Sequence, residues 1–128
     1  MVWRESESRS YFGGGIGMRE VKFRAWNKAK NRMEYDVYKE YDNLMQYTGL
    51  KDKNDKEIYE GDILSTEIKD KTIENKIIAS GNTVVEYKDC KFGVVWGWHK
   101  DFIGLDGFCN ATFEVIGNIY KNPELVGD

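Results

Sequence analysis

From residue 19 onward the apolar residues recur at every second position in short runs, and each run ends in a glycine or a polar turn. No other feature constrains the fold as much. Alternation sends successive side chains to opposite faces of an extended chain, and helical spacing is nearly absent. Residues 19–26 (REVKFRAW) place Val21, Phe23 and Ala25 on one face and Lys22 and Arg24 on the other. Residues 27–32 are polar and turn-like. Residues 33–38 alternate again, with Met33, Tyr35 and Val37 opposite Glu34 and Asp36. A hairpin follows in which Val21 faces Val37, Phe23 faces Tyr35 and Ala25 faces Met33. The same register sets Lys22 against Asp36 and Arg24 against Glu34, each pair contributing roughly 0.2–1 kcal/mol. A slip of one residue would bury the charges.

The rest of the chain reads in the same way. Residues 39–43 connect to a short strand at 44–48, which Gly49 ends. Residues 51–56 form a charged turn centred on Asn54 and Asp55. Gly61 is expected in a bulge or tight turn that a Cβ would forbid, with Asp62 accepting backbone N–H bonds. Ile63 and Leu64 open the next strand. Residues 67–80 fit either a charged hairpin or a short helix. The helical stripe Ile68, Thr72, Lys76, Ala79 is poorly apolar, so two strands with an exposed turn are predicted. Turns are expected at 80–82 and 88–90, strands at 83–87 and 92–98, a loop at 101–108, and a last strand at 112–120 bulged at Gly117. Pro123 closes the regular structure. The sum is a mainly β fold: a small, partly open β-barrel, SH3-like or similar, with the N-terminal hairpin packed beside it, α+β being the alternative.

Composition narrows the function. The 128 residues, 41% hydrophobic and 14% aromatic, suffice for one ordered domain. Apolar runs of a few residues exclude a membrane-spanning helix, so no membrane partner is expected. A net charge of -3 excludes a generally basic nucleic-acid coat but leaves room for a local patch. Two cysteines, Cys90 and Cys109, are too few for a disulfide scaffold and suit a reduced, cytoplasmic chain. The single histidine, His99, leaves no imidazole cluster. No Walker or Rossmann phosphate loop is present, and no cofactor is expected.

Residues 1–17 differ from the rest. They lack periodicity and end in a glycine run, Gly13 to Gly15, just upstream of Met18. Glycine codons begin with GG, so this run reads as a decoded ribosome-binding site. Met18 is therefore the expected start, residues 1–17 an upstream extension, and residues 18–128 a single domain.

Four constellations could carry chemistry. Arg19, Lys22, Arg24, Lys28, Lys30 and Arg32 fall within fourteen residues, with Phe23 and Trp26 interleaved. Cations that contact phosphate and rings that stack on bases would hold single-stranded nucleic acid. The competing reading pairs Lys22 and Arg24 across the hairpin and sends Phe23 to the core. Trp96, Trp98, Phe102 and Phe108 surround His99, and Trp96 and Trp98 would share a strand face. Exposed, they would suit a protein partner; otherwise they fill the core. Cys90, His99 and Cys109, with eight and nine residues between them, match no common zinc pattern, so no metal site is expected. Glu60, Asp62, Asp101 and Asp106 sit in turns where a hydrolase site could form, but among 22 acidic residues they single out no catalytic pair.

Three blocks carry a family resemblance: MREVKFRAWNKAKNRM at residues 18–33, LMQYTGLKDKNDKEIYEGDIL at 44–64 and FEVIGNIYKNPEL at 113–125. In this order they resemble the YopX family of phage and prophage proteins, with a looser match around TVVEYKDCKFG. Asp55 stands where the family has glycine after asparagine, which weakens a tight Asn-Gly turn. The resemblance implies a small, mainly β, phage-encoded protein in the bacterial cytoplasm, of unestablished function and without catalytic residues to carry over. The expectation is a non-enzymatic accessory protein that binds a host or phage protein through residues 96–102 or the basic hairpin at 19–32. Single-stranded nucleic-acid binding through that hairpin is the second reading and an uncharacterised hydrolase the third. Unpaired strand edges would also allow a homo-oligomer.

Overall fold

The computed structural model describes residues 20–37 and 43–126; the extension at 1–17, Arg19 and most of the connection at 39–43 lie outside the described residues. Strands take 58% of the described residues and no helix among them reaches seven residues, so the fold is mainly β. The strands are β1 (Phe23–Asn27), β2 (Arg32–Tyr35), β3 (Leu44–Lys51), β4 (Glu57–Tyr59), β5 (Asp62–Asp70), β6 (Lys76–Val84), β7 (Glu86–Lys88), β8 (Lys91–Trp96), β9 (Asp101–Gly104) and β10 (Ala111–Asn118). They form three antiparallel sheets, in the orders β2-β1-β3-β4, β10-β5-β6 and β7-β8-β9. The four-stranded sheet curls as a half-barrel, and the N-terminal hairpin makes up half of it.

That hairpin pairs one residue away from the predicted register. Arg24 lies opposite Tyr35, Ala25 opposite Glu34, Trp26 opposite Met33 and Asn27 opposite Arg32. The turn sets this slip. It spans four residues, 28–31, rather than three; Asn31 takes a positive φ of 54° and the Asn27 side chain accepts the Lys30 N–H at 3.0 Å. Asparagine tolerates that left-handed backbone because its short amide bonds locally. Both faces of β1 are covered, so Arg24, at 3% exposed, is buried along with its neighbours Ala25 and Trp26.

Residues 67–80 form the predicted hairpin of β5 and β6. Its turn is made by Glu74 and Asn75, both at positive φ, with the Asp70 carboxylate accepting the Thr72 N–H. Because the chain reverses there, residues 80–82 do not turn; Gly81 runs extended inside β6 opposite Thr66, under the Trp96 ring. Gly49 likewise does not end β3, which passes through it at positive φ in a bulge. Gly61 (φ +89) and the bulge before Gly117 fall where the sequence predicts them. A Cβ on Gly61 would lie 2.8 Å from Met45 Sδ. The two-residue turn at Asp89 and Cys90, both at positive φ, has the backbone that joins tight hairpins. Residues 101–104 are not loop but β9, paired along β8 from Trp96–Asp101 to Gly93–Gly104.

The core gathers Ile58, Leu64, Val85, Phe92, Val94 and Leu105, with Trp96, Phe108, Phe113 and Val115 packed against it. Asp52, which sequence reasoning passed over, ties the charged turn to the last strand. One of its carboxylate oxygens accepts the N–H groups of Asn54 (2.8 Å) and Lys56 (2.9 Å); the other accepts that of Val115 (2.8 Å). Desolvation pushes this carboxyl upward, but the three N–H bonds outweigh it and hold the pKa below the ordinary value. A lowered folded-state pKa stabilises the protein above the unfolded carboxylate range, and that contribution disappears as pH falls through the folded value. Asp52→Asn is thus expected to cost about 1–2 kcal/mol at neutral pH and to flatten the acid side of the stability profile below about pH 4. Urea denaturation from pH 2 to 7 measures both; parallel profiles for the two proteins would refute the assignment.

Candidate functional site

The aromatic segment is split by its own turn. Gly97 at φ +89 and Lys100 at φ +55 reverse the chain over residues 97–100, closed by the Lys100 N–H donating to the Gly97 carbonyl at 3.1 Å. The strand therefore ends at Trp96, and Trp98 does not share its face. Trp96 packs edge-on to Phe108, and Phe108 edge-on to Phe113. Phe102 is half-buried, with the Lys88 ammonium 5.1 Å and that of Lys91 6.0 Å from its ring centre. Trp98, at the tip of the β8–β9 hairpin, is 98% exposed, and His99 beside it is exposed too. Of the predicted aromatic surface, one full indole reaches solvent.

The basic cluster divides as well. Arg19 lies outside the described residues. Lys28 and Lys30 stand exposed on the β1–β2 turn, and Arg32 beside them bonds Glu34 at 3.3–3.4 Å. The others turn inward. Trp26 stacks on Tyr120, with ring centres 5.5 Å apart and planes at 7°. Lys22 donates to Glu57, not to Asp36, and lies 5.0 Å above the Tyr47 ring. Burial pulls the Lys22 pKa down, but Glu57 and Glu20 outweigh it and the net shift is upward.

Arg24 reaches from β1 under the start of β5. Its Nη2 donates to Asp62 Oδ1 at 2.9 Å and to the Glu60 carbonyl at 3.3 Å, and the guanidinium lies 4.7 Å from the centre of the Tyr59 ring. Asp62 Oδ2 accepts the Tyr59 N–H at 2.8 Å, the turn role predicted for this residue. Burial pushes the Asp62 carboxyl up, while Arg24 and the Tyr59 N–H pull it down; burial prevails. Burial likewise pushes the Tyr59 hydroxyl up, helped by Glu57, whose carboxylate the hydroxyl faces at 3.3 Å.

Asp62 is thus committed to Arg24 and Tyr59. Asp101 and Asp106 lie exposed at opposite ends of β9, and Glu60 accepts the Gln46 N–H at 3.5 Å. Cys90 and Cys109 are free and exposed, and no three His, Cys, Asp or Glu gather as a metal site among the described residues. Sequence reasoning missed Asp52, Lys56, Glu57 and Tyr59. An Asp two residues before the Asn54-Asp55 centre of the predicted turn is an Asx-turn signal that could have marked Asp52. Nothing local marks Glu57 or Tyr59, which meet β1 only through the sheet.

A YopX family profile, described as YopX protein, matches residues 34–127. Two solved structures share the fold. Protein yopX from Bacillus subtilis is 22% identical, with a TM-score of 0.58 over 84% of this chain and 98% of its own. A protein from Enterococcus faecalis is 26% identical, with a TM-score of 0.55 over 85% of this chain and 99% of its own. A comparison with curated proteins finds no match.

Proposed function

This chain belongs to the YopX family, and from that premise we propose that it is a non-enzymatic binding module that holds a protein partner with the tip of the β8–β9 hairpin. The family resemblance of the sequence further suggests a phage- or prophage-encoded accessory acting on a host or phage protein in the bacterial cytoplasm. The observation that carries the reading is Trp98, 98% exposed at a turn built by Gly97. An indole held wholly in water gains nothing for the fold, and tryptophan is among the residues that most often anchor protein interfaces. Phe102, under its two lysines, lies on the adjoining strand. Lys28 and Lys30, exposed on the other hairpin and in no ion pair among the described residues, keep nucleic acid as the second reading.

Trp98→Ala is expected to change folding stability by less than about 0.5 kcal/mol, because the side chain touches little. It is expected to weaken partner binding by about 2 kcal/mol or more, roughly thirtyfold. Pull-downs from bacterial lysate with wild-type and variant baits, with and without nuclease and at two salt concentrations, test this. A nuclease-resistant, salt-tolerant partner lost on Trp98→Ala supports the proposal. Binding that disappears with nuclease and fails in Lys28→Ala/Lys30→Ala would replace it with the nucleic-acid reading.

A further inference from the structure

A second feature lies away from the hairpin tip. Between the half-barrel and β10 the surface folds into an open pocket of about 230 Å³, with Arg24, Tyr35, Lys56, Tyr59 and Asn118 in its lining. Asp62 and Glu57 also line it, and both are spent: Asp62 on Arg24 and the Tyr59 N–H, Glu57 on Lys22 and the Tyr59 hydroxyl. The donors are not spent. A guanidinium carries five N–H groups, and among the described residues only those on Nη2 of Arg24 have acceptors. Arg24 Nε is buried with no hydrogen-bond partner, in a side chain only 3% exposed. Lys56 Nζ forms no ion pair within 4 Å among the described residues. Asn118 uses its oxygen on the Tyr120 and Lys121 N–H groups, and its amide NH2 has no partner among the described residues. Tyr35 holds its ring edge-on to Tyr59 and is half-exposed.

Acceptors are therefore satisfied and donors are left over. Arg24 Nε itself is closed to solvent, so a ligand in the pocket would meet the guanidinium through Nη1, which has no acceptor among the described residues. The group that would meet these donors is an oxyanion. We propose that this pocket binds a small oxyanion-bearing ligand, a carboxylate or a phosphate, between Arg24, Lys56 and the Tyr35 hydroxyl. The volume lies below that of a drug-sized ligand's pocket and limits the occupant to a small molecule or a single acidic group. Asp62 holds the guanidinium in place while cancelling part of its charge, so the ligand is recognised by hydrogen-bond geometry as much as by net charge.

The test uses the full chain, labelled with nitrogen-15 and titrated at constant ionic strength with inorganic phosphate, acetate or chloride. The readouts are the Arg24 Nε–H resonance and the backbone amides of Lys56 and Tyr35. Saturable shifts at all three sites with phosphate or acetate, absent with chloride, are expected; the anion that saturates first identifies the ligand chemistry. Lys56→Gln should weaken that binding about tenfold or more, and Tyr35→Phe by less. Both positions are exposed, so neither variant depends on an altered core. Shifts that do not saturate, that chloride reproduces, or that persist unchanged in Lys56→Gln would overturn the proposal.

Discussion

Asp62→Ala is expected to destabilise the protein by about 3–5 kcal/mol, the cost of leaving one partner of a buried ion pair alone. Both side chains are 3% exposed and 2.9 Å apart, so the Arg24 charge would stay in the interior without its counter-charge. The Tyr59 N–H would lose its acceptor as well. The pair itself adds little net stability, because desolvating both ions offsets most of their attraction. The double variant Arg24→Met/Asp62→Leu should therefore recover most of the loss. Denaturant titration of the two single variants and the double measures the coupling. Single variants within about 1 kcal/mol of wild type, or a double as weak as Asp62→Ala, would show that the ion pair does not hold β1 and β5 together. The same series separates structure from ligand binding, since Lys56→Gln alters the pocket while leaving the pair intact.

The second large effect is expected at Gly93, on the central strand of the β7-β8-β9 sheet. An added Cβ would lie 2.3 Å from the Ile103 carbonyl oxygen, 2.9 Å from the Ile103 carbonyl carbon and 2.9 Å from Phe102 Cζ. The phenyl ring could swing away; the carbonyl belongs to the β8–β9 ladder and cannot move without breaking it. Overpacking in a close-packed interior usually costs 1–3 kcal/mol, and a collision with backbone places Gly93→Ala at or above about 3 kcal/mol. Thermal denaturation reads this directly. The consequence reaches the proposed binding tip, because β8 and β9 carry the turn that presents Trp98. A Gly93→Ala protein that melts within a degree or two of wild type would mean that the two strands are less closely apposed than their register implies.

Much of this was legible in the residues. Alternation at 33–35 and 112–118, the reversals at residues 51–56 and at Asp89 and Cys90, the positive φ at Gly61 and the bulge before Gly117 are local properties; beyond Tyr35 the predicted second strand stops, because Asp36 takes a positive φ of 59°. They depend on side-chain period and on which residues tolerate left-handed backbone, so neighbours along the chain suffice. Mainly β architecture follows from the same short-range signals, and the family resemblance from three blocks of sequence in the right order. The β1–β2 register was not legible, because three- and four-residue turns both satisfy the alternation of the strands. Only Asn31, by adopting positive φ, selects the longer turn and brings Arg24 opposite Tyr35. The fate of the candidate residues depended on contacts far apart in sequence: Lys22 with Glu57, Arg24 with Asp62, Trp26 with Tyr120. The sequence by itself determined the strand-rich character and several of the reversals, since these are decided within a few residues, whereas pairing with β5 and β8 decided that residues 80–82 and 101–104 extend. Tertiary structure alone decided which charges are buried, which tryptophan faces water and which donors are left without acceptors, because burial and pairing are properties of sheets packed together.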